Sequence, residues 1–322
     1  MDIEGKKILV TGAAGHVGGH LVELLLRERP SSIVALDRSF SGADIQLPEV
    51  MSDPLVQRVE CDITNAREVA KAIEGVDAVV HTAGQLSRDV MADLRRGFEV
   101  NIGGTFGLIE ASVTAGVKRF IFTSSSSVYD GRNWPSAVNE SFAYDPASLY
   151  GTSKSAGEMF LRVFHKAHGL EYAALRCATI YGIRQSLRSN TARLIPETFE
   201  RIEKGLAPIL YGDGTAAYDF VNVVDVARAH VMAIKSATPA GAYNVATGIV
   251  TTIAEATKMV AQVAGFSGQL EHVEQGSRNN IPTHTFDVTK AERELGFKAA
   301  ISLRQGLEIY HEWRQGKKGG RA

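Results

Sequence analysis

The chain has 322 residues, 44% hydrophobic and 22% charged, with 35 basic against 36 acidic side chains and a net charge of −1. That balance lacks the clustered positive field of a nucleic-acid binder, and only GKKGGR near the C-terminus is locally basic. No apolar run approaches membrane-span length, and Cys61 and Cys177 sit outside any CxxC or metal-ligand spacing.

The opening MDIEGKKILV carries acids and enters a strand at once, unlike a signal peptide, so a cytoplasmic location is the expectation. Short apolar, β-branched runs then recur between helix-period segments: KKILVTG (6–12), SIVALD (32–37), LVQRVECDI (55–63) and DAVVHTAG (77–84). RFIFTS (119–124), YAALRCATIYG (172–182) and AYNVAT (242–247) continue the series. Strands apolar on both faces, alternating with helices, predict a doubly wound parallel α/β sheet of Rossmann type. After residue 182 the rhythm loosens into polar, helix-rich and loop-like stretches, and 215–247 looks like a return to the sheet. The expected organisation is a dinucleotide domain of 1–182 plus 215–247. A smaller, interleaved C-terminal substrate domain takes 183–214 and 248–322.

Within this frame ILVTGAAGHVGGHLVELLL puts Gly12, Gly15 and Gly18 between a strand and a helix whose Val17, Leu21, Leu24 and Leu25 share one face. Glycines there permit a tight turn and close backbone approach to a pyrophosphate, which the helix N-terminus then binds. Asp37 ends the next strand, where a carboxylate accepts from ribose hydroxyls and repels a 2′-phosphate. Arg38 follows it as a potential phosphate partner, so Asp37 disfavours NADP without excluding it. Asp62, at the third strand end, has two readings: a partner for an adenine amino group, or a helix N-cap in DITNAREV.

SLYGTSKSAGE sets Tyr150 and Lys154 one helical turn apart, on one face. A free tyrosine, with a pKa of about 10, is a poor base. A cation at ~4 Å in an effective dielectric of ~20 contributes on the order of 4 kcal/mol, enough to move the phenol towards neutrality. Such a phenol can take a proton from an alcohol as hydride leaves. TSSSSVYD (123–130) ends the fifth strand in a row of hydroxyls, and VNIGGT supplies Asn101. No HExxH or other metal spacing occurs among the nine histidines, and His81 reads as structural.

Over nearly its whole length the sequence resembles the extended short-chain dehydrogenase/reductases, in particular the NAD-dependent epimerase/dehydratase family of nucleotide-sugar enzymes. TGAAGHVG resembles the family's TGxxGxxG, HTAG its strand-four motif, SSSSVY its active-site strand and YGTSKSAGE its YxxxK helix. GDGTAAYDFVNVVDVA and FDVTKAERELGF resemble its two C-terminal elements. The resemblance implies NAD as cofactor, with His16, Val17, Ile63, Thr82, Ala83, Gly84, Asn101, Thr123 and Ser124 around it, besides Tyr150 and Lys154. It implies Ser125, four residues before Tyr129, as the hydroxyl on the substrate oxygen, and Ser124 on the nicotinamide side. Ser126 and Ser127 stand where dehydratases of the family carry an acid pair, and two hydroxyls cannot replace an acid and a base.

Three departures lie at the substrate end. Thr179 replaces a usual asparagine, Tyr218 replaces a usual arginine, and Arg278 is displaced by one position from a second phosphate arginine. Arg184, Arg188 and Arg193 are candidates to compensate, and Gln85 completes the expected substrate residues. Two enzymatic readings stay open: a sugar-nucleotide 4-epimerase, or a net dehydrogenase acting on a sugar, sugar acid or other hydroxy compound. A non-catalytic NAD-binding regulator would have no need of Ser125, Tyr150 and Lys154 together. The resemblance further implies a homodimer built on the helix of NIGGTFGLIEASVTAG and the helix of Tyr150. The stripe Phe106, Ile109, Val113 suits either the sheet or a partner.

Overall fold

The computed structural model describes residues 1–41, 48–131, 137–185, 193–237, 240–274 and 285–319. Its strands are β1 (Lys7–Thr11), β2 (Ser32–Asp37), β3 (Val56–Glu60), β4 (Ala78–His81), β5 (Arg119–Ser125), β6 (Glu171–Cys177), β7 (Thr179–Tyr181), β8 (Ile209–Tyr211), β9 (Ala217–Asn222), β10 (Ala240–Val245), β11 (Val250–Thr252) and β12 (Glu271–Val273). The α-helices are α1 (His16–Arg27), α2 (Ala66–Ala72), α3 (Ser87–Ala92), α4 (Leu94–Phe98), α5 (Thr105–Thr114), α6 (Leu149–His168), α7 (Leu194–Glu203), α8 (Val223–Lys235), α9 (Ile253–Val263), α10 (Thr289–Leu295) and α11 (Leu303–Gly319).

Seven strands form one sheet in the order β10-β6-β5-β4-β1-β2-β3, every neighbouring pair parallel. Because side chains alternate across a strand, each apolar run fills two cores at once. Ile8, Val10, Ile33, Ala35, Val80 and Ile121 face α1 and α8. Leu9, Val34, Leu36, Val79, Phe120 and Phe122 face α2, α5 and α6. Strand order reverses between β1 and β4, and a doubly wound sheet opens its binding crevice at that point, at the C-terminal strand ends. The sequence-stretch ends TG, LD, HT and TSS therefore converge on one edge.

Two expectations need correction. The stretch 172–182 is not one strand: it breaks at Ala178, whose N–H donates to the Val245 carbonyl at 3.0 Å. Beyond the break β7 leaves the main sheet and pairs with β9, which in turn pairs with β11 in a separate three-stranded sheet. Of 215–247, then, only β10 joins the main sheet, and α8 covers it by packing on α1. A third core of Tyr181, Ile195, Phe199, Phe220, Val260, Leu307 and Tyr310 supports this smaller lobe. The α5 stripe divides as well: Ile109 and Val113 pack into the sheet core, whereas Phe106 lies against Phe160 and Phe164 of α6 and stays part-exposed.

Helix α8 is locked to the active-site strand by a buried histidine. His230 Nδ1 donates to the Val226 carbonyl at 2.8 Å, so its Nε2 accepts from the Thr123 hydroxyl at 2.7 Å. Burial lowers its pKa to about 4, which keeps the ring neutral. A histidine with a depressed folded-state pKa binds fewer protons than in the unfolded chain between those two values. Its contribution is therefore complete above pH 6.5 and is lost as pH falls towards 4. Relative to His230→Gln, the wild type should lose about 3 kcal/mol of its stability advantage across that window, read by urea unfolding at each pH. A constant difference would contradict a buried neutral imidazole.

Candidate active site

The turn after β1 requires its glycines. Gly12 has φ +69°, and a Cβ there would sit 2.7 Å from the Ala83 nitrogen. A Cβ on Gly18 would lie 2.1 Å from the Gly12 carbonyl oxygen, so only glycine lets α1 start this close to the strand. Gly15 caps α1 without any side-chain hydrogen bond to the helix, which leaves the first-turn N–H groups for an anion. Asp37 faces the same turn, accepting from the Ala14 N–H at 3.0 Å and the Arg38 N–H at 2.7 Å. Burial pushes its pKa up against those bonds. Arg38 itself is exposed. An uncapped helix N-terminus, a glycine cradle and a carboxylate at the second strand end together fit a dinucleotide.

Around this turn the expected lining residues divide by what their polar atoms already hold. Thr82 ties the β4 end to the turn, its hydroxyl donating to the Thr11 carbonyl at 2.7 Å, and the Ala83 N–H reaches the Thr11 hydroxyl at 3.4 Å. His16 and Val17 open on the cavity, and the His16 Nε2 meets the Ile183 carbonyl at 3.0 Å. Burial lowers the His16 pKa to about 3. Asp62 does not cap α2, because Asn65 does. Its carboxylate instead accepts from the Thr64 N–H and hydroxyl and pairs with Arg96, a residue sequence reasoning missed. Ile63 beside it is buried. Asn101 does not reach outward either. Its side chain accepts from the Gln85 N–H at 2.7 Å and donates to the Gln85 carbonyl at 2.9 Å, clamping the loop that holds Gly84.

At the β5 end the predicted trio comes together. Ser125 and Tyr150 line the same cavity wall, and the Ser125 hydroxyl accepts from the Ser127 N–H at 3.1 Å. Lys154 Nζ donates to the Thr123 carbonyl at 2.8 Å and lies 5.7 Å from the Tyr150 ring centre. Close approach of α6 makes this possible. A Cβ on Gly151 would meet the Ser127 carbonyl at 2.3 Å, and one on Gly157 the Phe122 ring at 2.7 Å. Burial pushes the Tyr150 pKa up to about 12, with the neighbouring Ser125 hydroxyl acting against it, and lowers that of Lys154 to about 8. Lys154 thus sits between the Thr123 carbonyl and the Tyr150 ring.

A glycine turn feeding a dinucleotide crevice and a Ser-Tyr-Lys trio at the next strand end but one is the arrangement of a known enzyme family. Residues 8–246 match the model of the NAD dependent epimerase/dehydratase family. The chain belongs to this family. A dTDP-glucose 4,6-dehydratase of Streptomyces griseus is 31% identical over 95% of this chain and 93% of its own length. A putative UDP-glucose 4-epimerase of Methanocaldococcus jannaschii is 29% identical over 95% and 97%. The solved UDP-glucose 4-epimerase of Thermotoga maritima, with UDP-glucose, superposes with a TM-score of 0.89 at 28% identity, over 97% of this chain and 99% of that one.

Among the described residues that line the cavity there is no arginine. Thr179 and Tyr218 line the cavity, as do Ser125, Ser126 and Ser127. Gln85 carries a buried Oε1 that finds no donor among the described residues. Arg193 lies at the start of α7, paired with Glu197 at 3.7 Å, and does not line the cavity. Arg184, with φ +67°, turns to Glu23 and His20 on α1. Arg188 and Arg278 fall outside the described residues.

Two hydroxyls of the serine row point away from the cavity. Thr123 donates to His230, and Ser124 donates to Glu158, so Ser124 lines the site without offering its hydroxyl to it. Glu158 anchors a buried network: Arg176 of β6 reaches it at 3.0 Å through Nε and 2.7 Å through Nη2, and Tyr144 donates at 3.0 Å. Both charged side chains are at most 3% exposed. The signal was available in the sequence, since Glu158 lies one further turn along the face of Tyr150 and Lys154. Arg176→Leu would strand the carboxylate and should cost about 3–5 kcal/mol, measured by urea denaturation. A loss below about 1 kcal/mol would show that the pair does not anchor α6.

Proposed function

We propose that the protein is an NAD-dependent nucleotide-sugar 4-epimerase, removing hydride from one ring carbinol and returning it to the opposite face. The observation that carries this reading is the meeting of Ser125, Tyr150 and Lys154 on one cavity wall, with the Lys154 Nζ 5.7 Å from the Tyr150 ring centre. Ser125 holds the substrate oxygen that alternates between alcohol and ketone, and Tyr150 takes and returns its proton. Bound NAD supplies the hydride acceptor and a positive charge beside the phenol. Lys154 adds its own charge and donates to the ribose hydroxyls, while Asp37 reads the adenosine ribose and favours NAD over NADP. Gly12, Gly15 and Gly18 admit the pyrophosphate. Ser126 and Ser127 provide hydroxyls and no acid–base pair, which favours epimerisation over dehydration.

One observation favours a second reading, a net dehydrogenase of a free sugar or sugar acid. Among the described residues lining the cavity none is an arginine, and Thr179 and Tyr218 stand where phosphate partners are usual. For assembly we infer a homodimer through α5 and α6, whose outer faces expose Phe106, Met159 and Val163.

Incubation with UDP-glucose, UDP-galactose, free sugars and sugar acids distinguishes the two enzymatic readings. Interconversion of the UDP-sugars without accumulating reduced cofactor is expected. Stoichiometric reduced cofactor with a free sugar would instead establish the dehydrogenase. Tyr150→Phe should lower turnover by about 10²–10⁴-fold while NAD binding, followed by fluorescence, stays within a few-fold of wild type. Undiminished turnover would remove Tyr150 from the chemistry.

A further inference from the structure

Asp37 and Asp62 stand on neighbouring strand ends. Asp37 lies opposite Glu60 where β2 pairs with β3, and its carbonyl accepts from the Cys61 N–H at 2.8 Å, which sets Asp62 one residue further along. A dinucleotide whose ribose meets Asp37 therefore brings its adenine towards Asp62. Asn65 caps α2, so the helix makes no demand on Asp62. Its Oδ1 accepts from the Thr64 N–H at 3.0 Å and the Thr64 hydroxyl at 2.7 Å, and its Oδ2 pairs with Arg96. Arg96 reaches across from α4. Its Nη1 lies 3.4 Å from the Thr64 hydroxyl oxygen and 3.6 Å from a Glu99 carboxylate oxygen, while its backbone N–H donates to the Asp93 cap of α4 at 2.9 Å.

A guanidinium is a rigid fork, and here it holds both Asp62 and Thr64 of the turn after β3. Without that hold an aspartate on a part-exposed turn exchanges among its rotamers. The carboxylate is 31% exposed, so a bound base reaches it. The exocyclic amino group of adenine donates to such a carboxylate, whereas the keto oxygen of hypoxanthine meets it as a second acceptor. We propose that Arg96 is a positioning residue for the cofactor: it ties the turn after β3 to α4, aims the Asp62 carboxylate at the adenine amino group, and so makes the protein reject the keto analogue of NAD. The inference concerns the adenine end alone and is independent of which sugar is bound.

Competition between the two dinucleotides tests it. The protein is equilibrated with equal concentrations of NAD and nicotinamide hypoxanthine dinucleotide until the bound ratio is constant, and that ratio is read by mass spectrometry. Wild type should hold NAD in preference by about tenfold or more, as one hydrogen bond to a charged group provides. Arg96→Met should narrow the preference by about threefold or more, and Asp62→Ala should remove nearly all of it. Circular dichroism checks that both variants fold. A purely structural Arg96 would weaken both dinucleotides alike and leave the ratio at its wild-type value. That result, an unchanged ratio in Asp62→Ala, or a wild type that does not distinguish the two dinucleotides overturns the proposal.

Discussion

The buried ion pair between Glu158 and Arg176 fixes the distance on which the site depends. Tyr150 and Lys154 ride on α6, while Ser125 ends β5, and these elements are joined across the sheet by one carboxylate. Glu158 receives Arg176 from β6, Ser124 from β5 and Tyr144 from the chain leading into α6. Two such charges gain little net stability over apolar residues of the same volume, because both leave water. Their effect is positional: with nearly every lone pair occupied, the helix has one register against the strands. Gly151 and Gly157 then remove the side-chain bulk that would hold α6 away.

Burial sets the resting electrostatics of the trio. It raises the phenol and lowers the ammonium, so both groups lean towards neutrality in the free protein. The Thr123 carbonyl holds Lys154, and His230 holds Thr123 from beneath, so a neutral histidine on α8 sits two contacts from the chemistry. Asp130, on the same cavity wall, raises the phenol further. The site is thus poised for a ligand bringing positive charge near the phenol, as an oxidised nicotinamide does.

Much of this was legible in the sequence. The parallel sheet followed from strands apolar on both faces, and the glycine turn and Tyr-Lys spacing are local patterns that local geometry enforces. What escaped depended on partners far along the chain. Nothing near Thr123 or Ser124 says that their hydroxyls turn to residues 107 and 34 positions away. Asn101 was legible as important, but its role as a clamp on Gln85 needed the fold. The run 172–182 read as one strand because periodicity continues through Ala178, and only the pairing of β7 with β9 shows the chain changing sheets. Asp130 stood in plain view after Tyr129, yet its place on the cavity wall depends on the turn Ser126–Tyr129 before it.

Isotope tracing tests the central claim most directly. UDP-glucose deuterated at C4 is incubated with the NAD-loaded protein, and the products are followed by NMR and mass spectrometry. The account expects UDP-galactose with the deuterium retained at C4 and no net reduced cofactor, because one hydride leaves and returns within a single site. Loss of the label to solvent, its appearance in released reduced cofactor, or a 6-deoxy product would contradict it.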